Sequence, residues 1–213
     1  QLVNILIFIA IAVITIIGIV FITEGQRNIP VTYARHVAGN QSMGGVNTYL
    51  PLRVNQAGEY GAKRIYAGQL AVMGDRTPAA RSIAHMAEQE QRHLSAFDKV
   101  MAERGVRPTS LQPIWDVAGF ALGAVTAAIG PEAAMACTVA VETEIDRHYS
   151  EQLEKLGDSD PELTAMVLDF QADELEHKAT ALAEGAERAP AYPLMSAIIR
   201  MGCRTAIAVS KRI

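Results

Sequence analysis

Four glutamates, each set in the middle of an apolar stripe with helical spacing, constrain this chain more than any other feature in it. One stripe reads Ile83, Met86, Glu90, His93, Phe97, and another Leu163, Val167, Phe170, Glu174, His177, Ala181. A third runs Met135, Val139, Glu142, Tyr149, Leu153, and a fourth carries Glu59, Tyr66, Leu70 and Met73. Residues three, four and seven apart on a helix share one face, so each stripe that turns to a core takes its carboxylate with it. A buried carboxylate costs several kcal/mol unless it is paired or coordinated. A fold that accepts these four helices must bring their acids either to cations or into buried ion-pair networks.

The punctuation of the chain agrees with a helical reading from about residue 51 onward. Alternating β-branched runs flanked by hairpin turns are missing. Helices are predicted over about 54–73, from Thr77-Pro78 to near Gly105, over 114–129, from Pro131 to about 156, from Asp160-Pro161 to near Gly185, and after Pro193. Thr77 and Asp160 are cap residues followed by proline at the first helical position, and Gly130-Pro131 ends one helix and starts the next. The first and second helices echo the fourth and fifth in content. The class is all-α, a helix bundle.

Glu90-Gln91-Arg92-His93 and Glu174-Leu175-Glu176-His177 are both Glu-x-x-His pairs, which aim a carboxylate and an imidazole at one spot. With the lone Glu59 and Glu142 they make the ligand set of a carboxylate-bridged di-iron or di-manganese bundle. Bridging anions offset the repulsion between two nearby cations, and oxygen donors suit hard oxidation states. Six protein ligands leave coordination positions open. Glu88 and Glu176 fall off the stripes and are expected in solvent, whereas Asp173, beside Glu174, is placed to accept the free N–H of a metal-bound imidazole. A run of the GxGxxG type is absent.

The front of the chain is different. Residues 2–22 carry no charge, and 5–22 (ILIFIAIAVITIIGIVFI) are long enough for a spanning helix. A secretory signal would show a basic start and a small-residue cleavage site, which are missing here. Arg27 and Arg35 place the following flank on the cytoplasmic side. Three regions are therefore expected: a transmembrane helix over 1–23, a cytoplasmic loop over 24–50 and a bundle domain over 51–213. The chain opens with Gln1, which predicts further residues before it. The net charge of −4 argues against nucleic acid as a partner, since neutralising phosphates takes a basic surface. Cys137 and Cys203 form no metal-spaced pair and are expected in apolar helix faces. Residues 117–129 (VAGFALGAVTAAI) are apolar but too short to span, which makes them a core or interfacial helix.

Two resemblances follow from particular strings. EGQRNIPVTYARHVAG and NQSMGGVNTYLPLRVNQAG resemble one transmembrane helix and the next cytoplasmic loop of the Sec translocation channel subunit, over about 1–57. A single spanning helix encloses no pore, so no channel activity is implied. RVNQAGEYGAKRIYAGQL, EQEQRHLSAFDKVMAERGVRP, ACTVAVETEIDRHYSEQL, DFQADELEHKATAL and AYPLMSAIIRMGCRTAIAVSKRI resemble the demethoxyubiquinone hydroxylase family of ubiquinone biosynthesis, over about 50–213. The string LPLRVNQAG fits both.

The second resemblance implies a ferritin-like di-iron monooxygenase that hydroxylates the benzoquinone ring of a polyprenylated demethoxy intermediate. Glu59, Glu90, His93, Glu142, Glu174 and His177 occupy that family's positions for two iron ions, and His148 and Tyr149 match its pair associated with electron delivery. It further implies NADH as electron source, accessory proteins of ubiquinone biosynthesis, and the cytoplasmic face of the cell inner membrane as location. The polyprenyl tail lives in a bilayer, so the helix over 114–129 and the last helix are candidates for an apolar mouth facing the membrane. Two alternatives stay open: a ferritin-like iron-oxidising or storage protein on the same six ligands, and a translocon fragment carrying an inactive passenger.

Overall fold

The computed structural model describes residues 49–211. The expected transmembrane helix and most of the translocon-like loop lie outside the described residues. Within them the chain forms α1 (Tyr49–Met73), α2 (Pro78–Glu103), α3 (Gln112–Ile129), α4 (Pro131–Leu156), α5 (Pro161–Ala183), a single 3-10 turn (Ala186–Arg188) and α6 (Tyr192–Ser210). Among the described residues there is no strand.

The caps act where the sequence places them. Thr77 Oγ1 accepts the Ala80 N–H at 3.1 Å, and Asp160 Oδ1 accepts that of Leu163 at 3.2 Å, each just ahead of a proline whose missing N–H costs nothing in the first turn. Helix α1 begins five residues before the expected Val54, running through Pro51, which the first turn tolerates for the same reason. Likewise α3 starts two residues ahead of Ile114 and reaches 18 residues.

Helices α1, α2, α4 and α5 form the central bundle. Leu52, Phe97, Met101, Leu163 and Val167 fill its core with Ile83, Met86 and Met135. The stripes of α2 and α5 are buried as the spacing predicts, each from its first apolar residue to its last. Helix α4 is buried almost all round from Ala133 to Glu142, because α3 and α6 pack on its far side and leave it no solvent face.

The α1–α3 crossing is unusually close. A methyl group on Gly123 would overlap the Ile65 carbonyl, and one on Gly68 the Phe120 carbonyl. Small residues on both helices let the two backbones touch. Tyr60 donates to Asp116 Oδ1 at 2.8 Å, and Arg64 pairs with the same carboxylate at 2.6 Å. On the other flank α6 is held to α4 by Glu144, whose buried carboxylate accepts from Arg200 at 2.7 Å, Arg204 at 2.9 Å and Arg147 at 2.9 Å.

Candidate metal centre

All six expected ligands meet inside the bundle, and none is more than 1% exposed. Their donor atoms fall into two sets, Glu59, Glu90, His93, Glu174 and Glu90, Glu142, Glu174, His177, with the atoms of each set within 4.8 Å of one another. Glu90 and Glu174 belong to both. Shared carboxylates between two sets of donors are what bridging a pair of cations requires, with Glu59 and His93 on one side and Glu142 and His177 on the other.

The hydrogen bonds leave these atoms free for that purpose. Glu59 Oε2, both oxygens of Glu90 and Glu174, Glu142 Oε2, and Nδ1 of His93 and His177 are buried without a hydrogen-bond partner. Orphaned buried polar atoms are rare, and so many around one point fit a missing cation pair. His93 Nδ1 lies 3.2 Å from Glu174 and 3.4 Å from Glu59, and His177 Nδ1 lies 3.2 Å from Glu174 and 3.4 Å from Glu90.

The outer nitrogens are fixed. His93 Nε2 donates to Asp173 Oδ2 at 2.9 Å, and His177 Nε2 donates to Gln89 Oε1 at 3.0 Å. Both partners present an acceptor oxygen, so with a cation at the centre each ring would keep its proton on Nε2 and turn the Nδ1 lone pair inward. Asp173 thus accepts from an imidazole of the cluster, that of His93 across the bundle. Phe170 stacks on His93 with centroids 4.1 Å apart. Tyr149 donates to Glu59 Oε1 and Tyr66 to Glu142 Oε1.

A near two-fold symmetry relates these parts. Each tyrosine lies seven residues after a lone glutamate, on the helix opposite the one it bonds, and each histidine partner directly precedes the glutamate of the other Glu-x-x-His pair. Tyr66 and Gln89 were outside the site as read from sequence, yet both sit at these repeated offsets, which was the available signal.

Electrostatics also point to cations. Burial raises the Glu90 and Glu142 carboxyls well above their usual range, and repulsion from Glu174 adds to it. Burial acts the same way on Glu174, but the two imidazoles outweigh it and hold this carboxyl low. For His93 burial alone lowers the pKa, and the Glu174 and Glu59 carboxylates reverse that and lift it to about 10. The raised values of Glu90, Glu142 and His93 share one cause, acids crowded together away from water, and nearby positive charge would relieve it.

His148 does not join the cluster. It is 8% exposed, with no hydrogen-bond partner on either ring nitrogen, and burial with the nearby Lys211 pushes its pKa down to about 4. One residue along α4 turns the chain about 100°, which separates it from Tyr149. Glu88 and Glu176 are exposed, as expected. Cys137 is buried and Cys203 half-buried, both as free thiols.

Beside the centre lies a cavity of about 410 Å³ enclosed by α1, α3, α4 and α6. Gly58 and Gly61, Leu122, Val141 and Ile199 are among its apolar walls. Gly58 and Val141 directly precede Glu59 and Glu142 in the chain, so the cavity and the cluster draw on neighbouring faces of the same two helices.

A bundle, all-helical among the described residues, that buries two carboxylate–histidine sets sharing two glutamates has the donor arrangement of helical proteins that hold a pair of metal ions. Comparison with known proteins narrows this. The profile of the family described as "Ubiquinone biosynthesis protein COQ7" matches residues 49–210, and the chain belongs to that family. It is 52% identical over 162 residues to the 3-demethoxyubiquinol 3-hydroxylase of Rhodospirillum rubrum, with 76% of each chain covered. Over 165 residues it is 52% identical to the NADPH-dependent mitochondrial 3-demethoxyubiquinone 3-hydroxylase of Mus musculus, again with 76% of each covered. The mitochondrial 5-demethoxyubiquinone hydroxylase of Saccharomyces cerevisiae is 42% identical over 178 residues, at the same coverage.

Proposed function

We propose that this chain is a monooxygenase that hydroxylates the ring of a polyprenylated demethoxyubiquinone-type quinone, at two irons held by Glu59, Glu90, His93, Glu142, Glu174 and His177. The observation that carries this reading is the pair of donor sets sharing Glu90 and Glu174, buried against an apolar cavity. Bound iron supplies oxygen activation that no side chain offers alone. In balance, one atom of O₂ replaces a ring hydrogen as hydroxyl, and the other leaves as water. Two electrons come from a reduced nicotinamide and one proton from solvent.

The chain's own groups have distinct tasks. Glu90 and Glu174, common to both donor sets, would hold the two ions together, the two imidazoles would bind through Nδ1, and Tyr149 and Tyr66 hold the lone glutamates in place. The apolar walls of the cavity exclude water from the ring and take the first isoprenoid units. Cys203 on α6 and Leu122 on α3 are also among its walls. Tyr149, in contact with Glu59, is the better placed of the two residues associated with electron delivery, while His148 stands outside the cluster. Several relatives are named NADPH-dependent, whereas the resemblance by itself implies NADH. Turnover with each nucleotide separates the two.

The outer faces of α3 and α6 support membrane contact. Val117 is 68% exposed, and Leu194 and Met201 are each 64% exposed; Val125 and Ile198 lie on the same two helices. Helix α3 is the one described helix long and apolar enough to cross a membrane by those criteria alone. Its close packing along α1 supports a place in the interface instead. A bilayer at these faces on the cytoplasmic side of the inner membrane would deliver the tail directly to the cavity.

Gly61 tests the assignment. A methyl there meets nothing within 4 Å, because it would project toward the cavity it lines. Gly61→Val is expected to keep two irons per chain while hydroxylation of the demethoxy precursor falls at least tenfold, through KM first. Iron-loaded unaltered chain that leaves the precursor unchanged in cells that accumulate it, with electrons and O₂ supplied, rejects the function.

A further inference from the structure

The near symmetry of the centre fails around the two imidazoles, where Phe170 stacks on His93 and the groups holding the outer nitrogens differ. The residue before Glu174 is Asp173 and the residue before Glu90 is Gln89, so one imidazole leans on a carboxylate and the other on an amide. The two hydrogen bonds are alike in length, at 2.9 and 3.0 Å, and the tyrosines repeat on both sides. Charge is therefore what differs. Asp173 is 18% exposed and is itself held by Arg92, which also reaches Asp169 at 3.4 Å and lies 3.4 Å from His93 Nε2. Arg92 is 53% exposed, so water screens its charge, while the His93 ring beside Asp173 is fully buried.

We propose that the two metal positions are unequal, and that the position formed by Glu59 and His93 binds its ferrous ion more tightly because Asp173, rather than an amide, holds the outer nitrogen of His93. This rests on the two-metal reading above. A carboxylate accepting the Nε2 proton feeds electron density into the ring and makes Nδ1 the stronger donor. The neutral Gln89 fixes the His177 ring just as firmly but adds no charge. Asp173 and Gln89 are positioning residues, each acting through an imidazole. The order of filling follows: the first ion enters between Glu59, His93, Glu90 and Glu174, and the second completes the pair with Glu142 and His177.

Anaerobic titration of the full chain with ferrous ion, followed by Mössbauer spectroscopy of the iron-57 form, tests this. The unaltered chain is expected to show two dissociation constants at least tenfold apart and two distinct ferrous doublets. Asp173→Asn keeps the hydrogen bond geometry but loses the charge. It should weaken the tighter site by about 10- to 100-fold, shift one doublet and leave the other in place. Asp173→Glu should restore most of the difference. Gln89→Glu, on the opposite helix, should tighten the weaker site and draw the constants together, which keeps the test open if Asp173→Asn folds poorly. Two equal constants in the unaltered chain, or an equal loss at both sites in Asp173→Asn, overturns the proposal while leaving the two-metal centre standing. Failure to take up any iron would overturn both.

Discussion

At the scale of single residues, the chain separates two kinds of buried carboxylate. Glu90, Glu142, Glu174 and Glu59 lack enough protein partners and await cations, whereas Glu144, two residues from Glu142, is saturated by three arginines. Glu142→Ala is expected to abolish stable loading of two irons, read as metal per chain after desalting, because it removes one terminal donor and orphans the Tyr66 hydroxyl. Glu144 gives a different outcome. Burial would raise its pKa, but Arg204, Arg200 and Arg147 overcome that and lower it from 4.5 to about 2. A depressed folded-state value means that its contribution is complete above about pH 4.5 and is lost as pH falls toward 2. Glu144→Gln should therefore cost about 2 kcal/mol at neutral pH, and the gap from the unaltered chain should close on acidification. Urea melts at several pH values measure it. Of these residues the ligands were legible in the sequence, since a glutamate inside an apolar stripe announces itself. Glu144 was not, because two of its three arginines, Arg200 and Arg204, lie in α6, more than fifty residues away, with no periodic relation to it.

At the scale of elements, the α1–α3 crossing decides whether the cavity exists. Replacing Gly123 by alanine gains about 1 kcal/mol of helix propensity, but here the added methyl meets the Ile65 backbone, which has no rotamer to escape into. The collision wins. Gly123→Ala is expected to lower stability by about 1–3 kcal/mol and to distort the wall of the cavity, visible as a lower thermal midpoint with the iron content unchanged. Helix positions themselves could be read from prolines, caps and the 3.6 period. The start of α1 was placed at about 54, five residues late, although the first turn of a helix tolerates Pro51 because it has no need of that N–H. The all-round burial of α4 was equally out of reach, since periodicity shows an apolar face and not how many neighbours a helix will have.

At the scale of the whole molecule, two surfaces matter: the buried one that holds metal and the apolar one that faces outward from α3 and α6. If the latter meets a bilayer, replacing Val117 and Met201 together by glutamate should release the chain from vesicles of mixed phospholipid in flotation, while iron loading stays at two per chain. Residues 1–48 would themselves anchor the chain if they span, so the comparison is made in chains with and without them. By itself the sequence determined the helical class, the number of helices from 51 onward among the described residues, and the six acids and histidines that gather in one buried cluster. Those depend on local periodicity and on the cost of burying unpaired charge, both of which are properties of short stretches. Only the tertiary structure decided which carboxylates are shared, that Asp173 serves the histidine of the other motif, that Tyr149 meets the centre and His148 does not, and that a cavity lies behind α1 and α4. Each of these depends on the rotation of one helix against another, and side chains packing at a distance along the chain set that angle.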